Sequence, residues 1–181
     1  MAAGADYLRD RIPAMIRARR AAGVVVLLLG LVGCAGASSE ASAANELTWQ
    51  EAKARTQATE LEIANSLPQG KVADVDHMAT GVLLACGGSS VTWNGAATVT
   101  LTAGAEPEPL VRALEAKYRD SRFEIKVRDP APAGHYEFQL RSPDSAEIYI
   151  IKRGVEPSTI RIASGSECFS WPEDESIDRD F

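Results

Sequence analysis

The chain has 181 residues, 45% of them hydrophobic, and a formal net charge of −6 at pH 7. That length fits one hydrophobic core with extensions, since single cores serve about 100–200 residues, and the apolar fraction excludes a wholly disordered chain. Nineteen basic against 25 acidic side chains exclude nucleic acid as the main partner. Two histidines and three cysteines are too few for a zinc cluster of local repeats, so neither metal nor cofactor is expected.

At the amino terminus Arg9, Arg11, Arg17, Arg19 and Arg20 precede an uncharged run of 13 residues, Ala21 to Gly33. A membrane-spanning helix needs about 20 apolar residues, each rising about 1.5 Å through a core of about 30 Å. The run is too short to span and has the length of an export signal's central segment, with the arginines held on the cytoplasmic side. It ends in Leu31-Val32-Gly33-Cys34, with Ala35 as a second small residue beside the cysteine.

This tetrapeptide, behind a basic and apolar lead, resembles the lipobox of bacterial lipoproteins. The resemblance implies cleavage before Cys34, diacylglycerol on its thiol, and an amino terminus that is acylated (a palmitate chain, for example) or free. It places the protein at the outer leaflet of the cytoplasmic membrane, where several acyl chains anchor firmly because each buried methylene contributes about 0.8 kcal/mol. The leader is long for this class; Met15 is an alternative start to Met1 that gives a more ordinary signal. Abundant alanine and an excess of arginine over lysine make the chain similar to small uncharacterised actinobacterial cell-envelope lipoproteins.

The expected organisation is a signal peptide over 1–33, a flexible tether over 34–46, one folded domain over 47–171 and an acidic flexible tail over 172–181. The tether has no large apolar side chain with which to offset the entropy of ordering. In the domain, Thr48 and Glu51 form a capping-box pattern ahead of a helix. Trp49, Ala52, Thr56, Ile63 and Leu67 recur on its inner side, Glu60 and Glu62 are expected to face water, and Pro68 and Gly70 end it. A loop with Asp74, Asp76 and His77 follows.

Gly81 to Cys86 is apolar throughout and is expected as a central strand. Asn94-Gly95 predicts a hairpin turn between Ser90–Trp93 and a strand over 97–103. Glu106-Pro107-Glu108-Pro109 opens a second helix, whose apolar side is Leu110, Val111, Leu114 and Tyr118. Four strands then follow as a meander: 122–128, 135–141, 146–151 and 159–163. The fold class is α+β, with two helices packed on one face of a mainly antiparallel sheet and one disulfide.

With Cys34 committed to lipid, Cys86 and Cys168 remain, in a compartment that permits disulfides. A bridge between them is the favoured reading; a free nucleophilic thiol is the alternative. No catalytic residue is assigned. Asp74, Asp76 and His77 lack the ligand spacing of a calcium loop, and His135 with Ser89, Ser90, Ser164 or Ser166 lacks a nucleophile-elbow motif. The candidate binding surface is Trp93 and Trp171 as aromatic contacts, with Arg122, Lys126 and Arg128 as a basic stripe on one strand.

The function expected is a lipid-anchored, non-catalytic binding or accessory module. Its partners would be the membrane, through Cys34, and an envelope protein, peptide or glycan. A small envelope hydrolase and a structural subunit of a membrane complex are the alternatives.

Overall fold

The computed structural model describes residues 47–181 apart from 130, 132 and 133. The expected signal peptide, Cys34 and the expected tether therefore lie outside the described residues. The first helix, α1 (Trp49–Asn65), begins as its sequence dictates: the Thr48 hydroxyl accepts from the Glu51 amide and the Glu51 carboxylate accepts from the Thr48 amide. A cap of this kind contributes about 1 kcal/mol. These contacts hold the Glu51 carboxyl below its usual range, the backbone hydrogen bond with Thr48 being the main cause.

Three strands follow: β1 (Val72–His77), β2 (Val82–Gly87) and β3 (Ser90–Leu101). The second helix, α2 (Pro107–Tyr118), carries Pro107 in its first turn, where the missing amide costs nothing. The remaining strands are β4 (Glu124–Arg128), β5 (Glu137–Arg141), β6 (Ile148–Arg153), β7 (Thr159–Gly165) and the short β8 (Phe169–Ser170).

All eight strands form one sheet in which every pairing is antiparallel, with the main order β1-β3-β7-β6-β5-β4. The 12-residue strand β3 is its spine. One flank of β3 pairs first with β2 (Val82↔Asn94) and then with β1 (His77↔Ala97). The other pairs with β8 (Val91↔Phe169) and then with β7 (Asn94↔Gly165). Both helices pack on the same face, α1 over β3, β7 and β1, and α2 over β6 and β7. This is the expected α+β architecture.

Two apolar clusters lie between helices and sheet. The larger joins Ile63, Leu67, Val111, Leu114 and Tyr118 to Val99, Phe138, Leu140, Tyr149, Ile151, Ile160 and Ile162. The smaller centres on fully buried Trp93, with Ala52, Leu83, Val91, Phe169 and Phe181. Burying one such large side chain contributes about 1.5–3 kcal/mol, so helix docking follows from the apolar stripes of α1 and α2.

Four expectations are corrected. No turn forms at Asn94-Gly95, because β3 runs straight through it. Gly95 serves packing instead, since a Cβ there would overlap the Trp93 ring. The acidic segment expected as a loop is the edge strand β1, whose exposed Asp74 and Asp76 alternate with half-buried Val75 and His77. The apolar segment expected at the sheet centre is β2, which has β3 as its only strand neighbour among the described residues. The expected loose tail returns to the body: Phe181 is buried and exchanges backbone hydrogen bonds with Gly81 (2.7 and 3.0 Å).

Candidate functional site

The β2 sequence, Val82-Leu-Leu-Ala-Cys-Gly87, contains no charged residue. Alternation puts Leu83 inward against Trp93, while Val82 and Leu84 are 46% and 51% exposed. Three supports fix this strand. Trp93 lies beneath it, buried in the smaller cluster. Phe181 closes its entrance at Gly81 and stacks edge-on against Trp49 (5.6 Å) and Trp171 (5.3 Å). Cys86, near its far end, is bridged to Cys168, just before β8, with the two Cα atoms 6.2 Å apart.

The bridge joins positions 82 residues apart and ties the two flanks of β3 together. It realises the expected pair, and neither thiol is left to act as a nucleophile. What remains at β2 is a braced, uncharged strand presenting an outer edge, the geometry that accepts an additional strand.

A second site is interior. Glu60 projects from α1 into the helix–sheet interface and is fully buried. Its Oε2 lies 2.9 Å from His77 Nδ1 on β1, and its Oε1 accepts from the Ser164 hydroxyl on β7. Burial pushes the Glu60 carboxyl above its usual range, against the lowering effect of the bonds to Ser164 and His77. The three residues do not form a nucleophile relay, because the serine donates to the carboxylate rather than to the imidazole. The cluster is a polar peg that fixes α1 on the sheet.

Glu60 was expected to face water. Its position was nevertheless legible in Ala52, Thr56, Glu60, Ile63 and Leu67, which recur every three or four residues and are all buried. Ser164, 104 residues away, carries no sequence signal for this pairing.

The other candidates scatter. Trp93 is core rather than surface, and Trp171 is half-buried, its indole N–H donating to the Glu175 carbonyl. Arg122 lies just before β4 and leaves the basic stripe: its guanidinium grips both Glu62 oxygens (3.0 and 2.6 Å) and stacks on Phe123. Lys126 and Arg128 do project from β4 on the face away from the helices, the open face. His135 is exposed, and Ser166 accepts from the Trp93 amide as a structural contact. Among the described residues no three metal-ligating side chains gather, and no helix is long and apolar enough to cross a membrane.

No protein-family model matches this chain, and no curated protein or solved structure does either. The functional reading therefore rests on the residues themselves.

Proposed function

We propose that the protein is a lipid-anchored, non-catalytic binding module of the cell envelope, held by Cys34 at the outer leaflet, which captures an extended segment of an envelope protein along β2. The observation that carries this reading is the edge itself: a six-residue strand without charge, its exposed face offering Val82 and Leu84. Edge strands left unprotected invite pairing, and proteins normally blunt them with charges or cover. A partner strand would gain main-chain hydrogen bonds along β2 and specificity from contacts to Val82 and Leu84. The Cys86–Cys168 bridge supports an oxidising compartment, in keeping with the lipobox-like Leu31–Cys34.

Two experiments test the two halves. Intact mass of the membrane-extracted protein should show a chain that begins at a diacylglyceryl Cys34, and Cys34→Ala should leave it unprocessed. A soluble, unmodified wild-type chain would contradict the anchor. For the edge, Leu84→Lys should abolish capture of the envelope partner while the folded structure is kept. Undiminished capture would move the binding site elsewhere.

A further inference from the structure

Across β4–β7 the face turned away from the helices is charged in a way the rest of the molecule is not; beyond Thr98 the same face ends in the exposed acids of β1, Asp74 and Asp76. Strand register sets Arg128, Glu137, Lys152 and Arg161 in one row across β4, β5, β6 and β7. Lys126, Gln139, Ile150 and Ala163 form the next row, and Glu124, Arg141, Ile148 and Gly165 the third. These three rows hold five cations and two carboxylates, whereas residues 47–181 as a whole hold 14 basic and 21 acidic side chains.

The two carboxylates weigh little outward. Glu137 is buried between Arg128 (2.7 Å) and Lys152 (3.9 Å), and Glu124 meets Arg141 only at 3.7 Å. Lys126 and Arg161 have no carboxylate within 4 Å among the described residues. Elsewhere most arginines are spent on acids of the body: Arg55 on Glu167, Arg112 on Glu108 and Asp129, Arg119 on Glu115.

Beside the cations the same face is apolar. Ile148 is 36% exposed, next to Arg141 on the neighbouring strand. With Ile150, Ala163, Gly165, Thr92 and Asn94 it lines a shallow hollow of about 390 Å³. No open-face position of β4 to β7 carries an aromatic ring, so the platform on which a sugar ring would stack is lacking. Cations around an exposed apolar centre are instead the pattern of a surface that settles on lipid headgroups.

We propose that the open face of β4–β7 docks on an anionic phospholipid surface, with Lys126, Arg128, Arg141, Lys152 and Arg161 against the phosphodiesters and Ile148 at the acyl boundary. This deepens the envelope reading and rests on it for the presence of the bilayer. The third row continues through Asn94 to Val82, so Val82 and Leu84 turn to the docked side, and it is the main-chain edge of β2 that stays open to a partner while the domain lies flat.

The test places the purified lipidated chain on vesicles of phosphatidylcholine with or without about one third phosphatidylglycerol. A fluorophore is attached through Gln139→Cys on the open face or through Ala113→Cys on exposed α2, and a quencher is carried on the lipid headgroups. Quenching at position 139 should exceed that at 113 by threefold or more on the anionic vesicles alone. It should fall to the level of 113 in about 1 M salt, where the screening length drops to about 3 Å, and in Lys126→Glu with Arg161→Glu.

Equal quenching at both positions, or equal quenching on neutral vesicles, would overturn the proposal. Displacement of the face by soluble polyphosphate, on vesicles where the chain stays anchored, would overturn it in favour of a polymer ligand. The anchor fails separately, as loss of vesicle association by both labelled chains.

Discussion

The two ends of the sheet are built on opposite rules. Along β4, Glu124, Lys126 and Arg128 put a charge at every second position, and the exposed Val127 (45%) is flanked by two of them. Such an edge rejects another strand, because pairing would bury unmatched charges. β2 presents comparable apolar exposure at Leu84 with no charge in six residues. Its conformation is nonetheless among the most heavily braced in the molecule, by Trp93 beneath, Phe181 at one end and a disulfide at the other. An edge that is braced and undefended differs from one that is merely neglected. Under the proposed function, such bracing lowers the ordering cost of binding, which is what a pre-formed docking strand needs.

The largest way to break this asymmetry is to remove the floor under β2. Trp93→Ala should cost about 3–5 kcal/mol of unfolding free energy, measured by denaturant titration, because a fully buried ring leaves a cavity. Val127→Ala on the opposite edge should cost less than about 1 kcal/mol. Replacing Cys86 and Cys168 together by serine should lower stability by about 2–4 kcal/mol, since the bridge closes a long loop. Amide exchange should then rise along β2 and β8 but not along β4 and β5.

A pH experiment sharpens the comparison from within. The Glu60 carboxyl titrates above its unfolded value because it is buried. Its contribution to stability is therefore complete below the ordinary carboxylate range and is lost as pH rises through the raised value. Glu60→Gln, which keeps the contact to Ser164 without a titrating proton, should gain stability relative to the wild type as pH climbs from about 4 towards 8. A parallel pH profile for the two proteins would contradict the burial argument. The smallest stability change is expected from Leu84→Lys and Val127→Lys, each within about 0.5 kcal/mol. Only the first should remove partner capture.

Much of the fold was legible in the sequence because it is written locally. The Thr48–Glu51 box, the proline-led start of α2 and the alternation through β4 to β7 each need only a few adjacent residues. The errors all arose where a long-range neighbour decided the outcome. Asn94-Gly95 carries a hairpin signal, but Gly95 is needed to make room for the Trp93 ring. The apolar run of β2 suggested a sheet centre, yet hydrophobic composition also marks an edge left open for a partner. Asp74 and Asp76 suggested a loop, although an exposed edge strand tolerates acids equally well. The disulfide was accessible by counting cysteines, whereas the spacing that turns Glu60 inward does not announce its partners His77 and Ser164.

The central claim is that β2, and not β4, is the strand that receives a partner. A photoactivatable diazirine analogue of leucine placed at position 84 or at position 127 of the full-length protein, in the cells that make it, tests this directly. Cross-linked products are then sequenced by mass spectrometry. The account predicts that position 84 labels one short extended segment of a single envelope protein, and that position 127 gives no such product. Equal labelling from both positions, no labelling from position 84, or labelling of a second copy of the same chain would contradict it.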